Sequence, residues 1–522
     1  MKFKDLLNVT LLNNRRAIYL IGMVVLLLTI LMLSSCFPKK TSLPLSLEEQ
    51  LEQLERIQSQ YEDDILDIPG VLGIGIGRSE NGLHFSVFID KSEPAPALPK
   101  IIGGIPVWVL LRDPIQLLDG FPPCGAAGTA ECHADRQPLP VEMGNSGGWN
   151  SSSAPIACSL GFKACDLGTQ KIVFVTNSHC NQSITTCEMA PMGSTWVHPG
   201  LGDVNSGSCI TDGLCDVIGK VSGHAPLSCN SNSNLADATK IESSSEQTFF
   251  IFRDIGFSGG EGSPMIGDPV RKSGRTTGDT RGTIVHMNVS RKYATGCCDD
   301  ITMKGLIEWV TTDGTVMRGG DSGSALLSDR PAQGGGNVPF YNIVGLNFAV
   351  AESTDNNDGN TLHNYANHIK HVLAALNLSL DVSSCLQDCL FTSMANTLSD
   401  PEIAVSLGHK FREQVLEKSS RGQQYKNIYY QITDEAVRIA ATNPKLLLRT
   451  AKVFQSQRPL FNAMLEGLSV EINHADLEVI DDLLKRYQKY GSPHLQIALD
   501  VLRKDLYDDK VLAEFNVKIE YY

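Results

Sequence analysis

The chain has no basic excess. Its 522 residues carry 44 Lys and Arg against 58 Asp and Glu, a formal net charge of -14. A nucleic-acid binder needs a basic face to neutralise phosphates, so no nucleic-acid partner is expected. No long run of one charge sign occurs, so the charge is spread over a solvated surface. No internal repeat of fixed period is present. There is no Cys-x-x-Cys pair, so Cys124, Cys132, His133 and Cys187 make a poor zinc set. Neither a metal nor a cofactor is expected.

What is present is core material and cysteine. Hydrophobic residues make up 42% of the chain, enough for packed cores, and the length suits two or three domains. Of the 14 cysteines, 11 fall between Cys124 and Cys298. That clustering suits disulfides in an oxidising compartment. The N-terminus agrees. Lys2, Lys4, Arg15 and Arg16 precede an uncharged apolar run from Ala17 to Leu33, and Leu33-Ser34-Ser35-Cys36 follows. A basic start, an apolar stretch and small residues describe a secretory signal over residues 1–36. The small residues before Cys36 resemble a bacterial lipobox, which implies a lipid-carrying Cys36 as the mature N-terminus and attachment to a membrane. An uncleaved anchor is the competing reading, but Lys39 and Lys40 beyond the run weaken its charge asymmetry. Both readings export the rest of the chain to the cell envelope or surface. Phe37 lacks the Asp that would suggest inner-membrane retention, which leans towards an outer membrane.

Residues 37–44 read as a tether. Residues 45–120 read as a small α+β module, with a helix to about Asp64, then strands at Leu72–Gly77, His84–Ile89 and Ile105–Leu111. Residues 121–153, rich in Gly, Pro and Ser, read as a linker. Residues 154–380 carry many short β-rich runs separated by Gly, Asn, Asp and Ser, the pattern of an all-β barrel or sandwich. A helix over Leu362–Leu376 is expected to close that region. Residues 384–522 read as helical. Leu477, Ile480, Leu483, Leu484 and Tyr487 share one face there, and Asn443-Pro444 and Gly491-Ser492-Pro493 mark breaks. This tail is expected to be a structural cap or a partner-docking domain.

Two segments carry chemistry. In Phe174-Val175-Thr176-Asn177-Ser178-His179-Cys180 an apolar strand delivers a His onto a turn of small residues. In Gly319-Gly320-Asp321-Ser322-Gly323-Ser324 a hydroxyl sits among glycines. A Ser hydroxyl is a weak nucleophile and needs a neighbouring base. Flanking glycines let the amides of Gly320 and Ser322 point at one spot, where an oxyanion would form.

Taken together, these segments resemble the chymotrypsin-like serine peptidases, nearest the bacterial α-lytic protease and streptogrisin group. Cys158-Ser159-Leu160-Gly161-Phe162 and Lys272-Ser273-Gly274-Arg275-Thr276-Thr277-Gly278 carry the resemblance further, over roughly residues 141–380. It implies a double β-barrel and a serine endopeptidase acting on peptides or proteins. The expected architecture is thus a multidomain α+β chain with an all-β peptidase core. The resemblance implies His179 as general base and Ser322 as nucleophile. Within Asn234-Leu235-Ala236-Asp237-Ala238 it implies Asp237 as the orienting carboxylate, ahead of the loop rivals Asp203, Asp212 and Asp216. It also implies a Cys158–Cys180 disulfide and an ion pair between Arg275 and Asp321 that pins the oxyanion loop. Lys100-Ile101-Ile102-Gly103-Gly104 is similar to a zymogen cleavage site whose freed amine could meet Asp321 instead, but those residues also read as a strand. Val316 falls at the specificity position and suggests small or apolar side chains at the cleaved residue. Ser324, Asn177 and Ser178 depart from the group's pattern. That leaves open an inactive peptidase-like binding or scaffold lipoprotein. The adjacent Cys297 and Cys298 have no place in the pattern.

Overall fold

The computed structural model describes residues 46–117, 133–151, 156–183, 186–204, 209–225, 227–229, 234–243, 247–294, 297–298, 301–312, 314–315, 317–330, 340–353, 361–381, 385 and 401–520. The signal segment, Cys36, Cys124, Cys132 and Val316 lie outside them. The chain divides between Leu54 and Glu55 into two units. The first contributes the start of the helix Leu47–Leu66, closed by a capping box in which Ser46 Oγ accepts from the Glu49 amide at 3.2 Å and Glu49 Oε2 accepts from the Ser46 amide at 2.8 Å. Among the described residues, no helix is long and apolar enough to cross a membrane.

The second unit is dominated by two sheets, of 14 and 8 strands among the described residues. The smaller runs in the order Leu378–Ser379, Phe162–Asp166, Lys171–Thr176, Ala238–Glu242, Asp216–Ala225, Thr195–His198, Ser146–Trp149 and Cys158–Ser159. The larger includes Val71–Ser79, Gly278–Tyr293, Pro269–Gly274, Ala325–Ser328 and Phe340–Ser353, hydrogen-bonded in that order. Their shared core sets Phe162, Phe174, Trp196 and Ile241 of the smaller sheet against Leu327, Ile343 and Leu346 of the larger. Burying each such side chain contributes about 1.5–3 kcal/mol.

The strands between Val71 and Arg112 join the larger sheet directly. Val71–Ser79 pairs antiparallel with Gly278–Tyr293, matching Gly73 to Arg291 and Gly77 to His286. This explains the alternating glycines of that strand. A Cβ on Gly73 would lie 2.3 Å from the Ser290 carbonyl oxygen, and one on Gly75 would lie 2.7 Å from Val289 Cγ2.

Two sequence expectations change here. The residues read as a linker carry strands Val141–Met143 and Ser146–Trp149, one in each sheet. The helix expected over Leu362–Leu376 is a strand, Thr361–His368, followed by the shorter helix Ile369–Leu376. That strand pairs on one side with Ile301–Thr311 and on the other with Phe340–Ser353. Every residue from His363 to His368 is buried, so both faces of the strand are covered, its apolar residues need not alternate with polar ones, and the periodicity misleads.

Among the described residues five disulfides tie the unit together: Cys158–Cys180, Cys165–Cys385, Cys187–Cys297, Cys209–Cys215 and Cys229–Cys298. The adjacent Cys297 and Cys298 thus serve two different loops. Such a set belongs to an oxidising, extracytoplasmic compartment. The C-terminal residues form helices from Pro401–Gln414 to Asp509–Ala513 and one parallel strand pair, Val470–Asn473 with Val517–Glu520. Asn443 and Ser492 cap the helices that begin at the prolines 444 and 493, as the sequence signals require. The helical core, with Ile428, Ile432, Leu495 and Leu499, packs on Ile251 and Phe257 of the larger sheet.

Candidate active site

His179 opens a short 3-10 turn directly after the strand Lys171–Thr176. That strand pairs with Ala238–Glu242, matching Thr176 to Thr239 and Phe174 to Ile241. Continuing the register by two residues sets Asp237 across from Ser178. The side chains follow this geometry. Asp237 Oδ1 accepts from the amides of Ser178 at 2.7 Å and His179 at 3.2 Å, while Oδ2 lies 2.5 Å from His179 Nδ1. Asp237 is fully buried and His179 is 7% exposed. Asn177 and Ser178, which looked like departures, hold this segment. Asn177 Nδ2 donates to the Asp237 carbonyl at 2.7 Å, and Ser178 Oγ lies 2.7 Å from the Ala238 carbonyl oxygen.

Ser322 sits between Gly320 and Gly323, in the turn before the strand Ala325–Ser328. Both glycines have positive φ, +93° and +85°. A Cβ on Gly320 would stand 2.7 Å from Arg275 Cδ, and one on Gly323 would stand 2.2 Å from Thr176 Oγ1. Only glycine fits either place. In this turn the amides of Asp321, Gly323 and Ser324 donate to the carbonyls of Arg318, Asn347 and Asp321. No acceptor among the described residues takes the amides of Gly320 or Ser322. Ser322 Oγ itself donates to the Phe348 carbonyl at 3.3 Å.

Ser322 and His179 adjoin strands of different sheets, and two routes connect them. Along the first, the Ser159 amide donates to the Ser322 carbonyl at 2.8 Å and Ser159 Oγ donates to the Gly320 carbonyl at 2.9 Å. Its neighbour Cys158 is bonded to Cys180, next to His179. Along the second, Phe348 and Asn347 lie on a strand matched to Asn367, whose Oδ1 accepts from the Asp237 amide at 3.0 Å. Ser159 and Asn367 were not singled out from the sequence. Each is an ordinary polar residue in a strand or loop, and nothing local marks it.

The expected Arg275–Asp321 pair is not formed. Arg275 forks onto Asp203, with Nε 3.1 Å from Oδ2 and Nη2 on Oδ1. Asp203 Oδ2 also accepts from Ser146 Oγ at 2.5 Å. Asp321 is held at shorter reach. Its Oδ1 accepts from the amides of Thr276 at 3.0 Å and Thr277 at 3.1 Å, and its Oδ2 from Thr277 Oγ1 at 2.7 Å and the Arg318 amide at 3.0 Å. The buried Lys272 Nζ lies 3.5 Å from Oδ1. The backbone beyond Arg275 fills the space around Asp321, so the longer guanidinium passes Gly320 and reaches the smaller sheet. Asp203 therefore has a structural partner of its own. Asp216 is likewise engaged, paired with Arg136 at 2.7 Å.

Ile101 is 63% exposed in a hairpin with Ile105–Arg112. His179 and the sulfurs of Cys158 and Cys180 lie within 4.8 Å of one another, but the two sulfurs are bonded together and do not form a metal-ligand set. A cleft of about 1130 Å³ elsewhere in the unit contains none of His179, Asp237 and Ser322.

No family model and no curated protein matches the chain. Solved structures do. A chymotrypsin from Cellulomonas bogoriensis is 20% identical, covering 47% of this chain and 99% of that one, with a TM-score of 0.29. Protease A of Thermobifida fusca is 20% identical, covering 46% and 97%, with a TM-score of 0.30. A glutamic acid specific serine protease that uses a histidine triad in substrate binding is 18% identical, covering 46% and 100%, with a TM-score of 0.31. At these scores the likeness carries no argument about chemistry, which rests on this chain's own side chains.

Proposed function

We propose that the chain is an exported serine endopeptidase of the chymotrypsin-like, double-barrel kind. The observation that carries this reading is the buried Asp237 carboxylate 2.5 Å from His179 Nδ1. A carboxylate there accepts a hydrogen bond, so it fixes the imidazole proton on Nδ1 and leaves Nε2 as the basic atom. The Ser322 proton, now directed at Phe348, is redirected to Nε2 as Oγ bonds to the substrate carbonyl carbon. The carbonyl electron pair moves to oxygen, where the amides of Gly320 and Ser322 donate to it. Collapse breaks the C–N bond, and His179 returns its proton to the leaving amine. Water then hydrolyses the Ser322 ester with His179 again as base. The net reaction is hydrolysis of one peptide bond.

The oxidising-compartment disulfides support export. Lipid attachment at Cys36, small or apolar preference through Val316, and partner docking by the helical tail extend the same proposal beyond the described residues or beyond the site. A serine-reactive phosphonate is expected to label the purified wild-type chain once, on Ser322, and to leave Ser322→Ala unlabelled. A wild-type chain that is folded yet takes no label, with no hydrolysis of a mixed peptide library, would transfer the reading to an inactive binding lipoprotein.

A further inference from the structure

The cleft of about 1130 Å³ is lined by residues of the strands Val71–Ser79, Gly82–Asp90, Ile105–Arg112, Gly278–Tyr293, Ile301–Thr311 and Thr361–His368, all of the larger sheet, and by none of His179, Asp237 and Ser322. Ligand sites are commonly about 300–1000 Å³ and combine an apolar lining with a few placed polar groups. Next to the lining residues His286 and His363 is Glu308, fully buried and not itself part of the lining. Its two carboxylate oxygens lie 2.9 Å from His286 Nδ1 and 2.7 Å from His363 Nδ1, and the Arg112 guanidinium is 3.7 Å away. Burial alone would raise this carboxyl, but His286 and His363 hold it well below the usual carboxylate range. The charge of Glu308 is thus already engaged by its neighbours.

What remains on the wall is a surplus of nitrogen. His363 turns Nδ1 to Glu308, which leaves Nε2 on the other side of the ring. That atom, in a side chain 3% exposed and lining the cleft, has no hydrogen-bond partner among the described residues. His84 Nδ1, in a side chain 4% exposed, is in the same condition. Leaving a buried polar atom unpaired costs about 1–3 kcal/mol, so two on one cleft wall point to something that fills it. Arg112 lines the wall and the exposed Arg78 stands at the mouth, where Glu80 faces solvent. Beside these donors is an apolar surface. The Trp108 ring stacks on His84 with centroids 4.1 Å apart and stays 44% exposed, and Ile284 and Val310 continue the wall.

We propose that this cleft is a second binding site, separate from the triad, for a carboxylate carried on an apolar or aromatic body. The carboxylate accepts from the His363, His84 and arginine N–H groups, and the body covers Trp108. A free small acid and the C-terminal end of a peptide share that chemistry.

The test uses the full chain carrying Ser322→Ala, so that peptides survive, and titration calorimetry. 3-Phenylpropionate is expected to bind at one site, and 3-phenylpropionamide about tenfold or more weaker, a difference of ~1.4 kcal/mol. Arg78→Gln and His363→Asn, each with unchanged circular dichroism, should weaken the acid about fivefold or more. A tripeptide ending in a free phenylalanine carboxylate is compared with its C-terminal amide. Tighter binding of the free-ended peptide than of phenylpropionate assigns the site to peptide ends, and weaker binding assigns it to small acids. The proposal is overturned if acid and amide bind alike or not at all, or if both variants bind like the parent. Loss of acid binding on phosphonate-labelled wild type, or saturable zinc binding with no binding of the acid, would overturn it equally.

Discussion

Replacing Asp237 by Asn changes one atom in the site and reverses one hydrogen bond. The carbonyl oxygen of Asn can still accept from the Ser178 and His179 amides, now 2.7 and 3.2 Å from Oδ1. That contact fixes the orientation of the amide and places its NH2 against His179 Nδ1, where Oδ2 now stands at 2.5 Å. Two donors cannot face each other, so Nδ1 must become the acceptor and the proton moves to Nε2. The base then points an N–H at Ser322 instead of a lone pair. Wrong-tautomer imidazoles of this kind cost about 10⁴ in kcat, which at ~1.36 kcal/mol per decade is ~5.4 kcal/mol of transition-state stabilisation. The burst of a chromogenic ester substrate and steady-state peptide hydrolysis would measure it, with KM expected to change little. The melting temperature is the control, since the two backbone contacts survive and the fold should hold. A folded Asp237→Asn variant with more than a tenth of wild-type kcat would refute the assignment of the imidazole's orienter.

Cys158→Ser with Cys180→Ser opens a loop of sequence separation 22. Loop-closure entropy puts the loss at about 3 kcal/mol, read as a lower denaturant midpoint, and kcat should fall as well because Cys180 adjoins His179. Lys272→Met leaves the buried Asp321 without its only cationic neighbour among the described residues, so stability should drop by about 3–5 kcal/mol in chemical unfolding. If Lys272→Met is neutral, the backbone amides alone hold Asp321. His494, buried among the C-terminal helices, is pushed down to about 3 by burial and then by Lys163. The folded state refuses a proton that the unfolded state takes below pH 6.5, so stability is present above pH 6.5 and is lost as pH falls towards 3. By pH 5 the loss is on the order of 2 kcal/mol. His494→Gln should flatten the fall in melting temperature between pH 6.5 and 5, and an unchanged slope would show that this histidine does not titrate with unfolding.

The parts of the site that were legible in the sequence are those made within one short segment. Gly319 to Gly323 announces a turn because two positive-φ positions demand glycine. Thr176 to Cys180 announces a strand end because an apolar run stops at small polar residues. Asp237 came from the resemblance of the segment Asn234 to Ala238 to the peptidase group, since its pairing with the strand before His179 is written in neither segment. What was not legible is everything that depends on which segments face each other. Arg275 was assigned to Asp321 on local motif alone. In the folded chain the Thr276 and Thr277 amides reach that carboxylate first, and the guanidinium spans to Asp203. The strand Thr361–His368 failed for a related reason. A strand covered on both faces, as His363 to His368 are, has no exposed face to write a period of two, so its Leu362, Tyr365 and Ala366 mimic a helical stripe.

The same distinction bears on how the site could be lost. Asp237 and His179 adjoin strands of the smaller sheet, while Ser322 and Gly320 precede a strand of the larger one. Neither sheet holds the whole of the proposed set. Their alignment rests on a few polar bridges across the seam: Ser159 to Ser322 and Gly320, Arg275 to Asp203, and Asn367 to Asp237. Apolar packing brings the sheets together but is tolerant of small slides, because dispersion contacts are numerous and non-directional. Hydrogen bonds weaken steeply with angle and distance, so it is these bridges that fix the position of one sheet on the other. Asn367→Leu keeps the branching of the side chain, and removes both the acceptor for the Asp237 amide and the Nδ2 donor to the Leu346 carbonyl. The unpaired Leu346 carbonyl should cost about 1–3 kcal/mol of stability, and a fall in kcat well beyond that loss separates a positioning residue from one that merely packs.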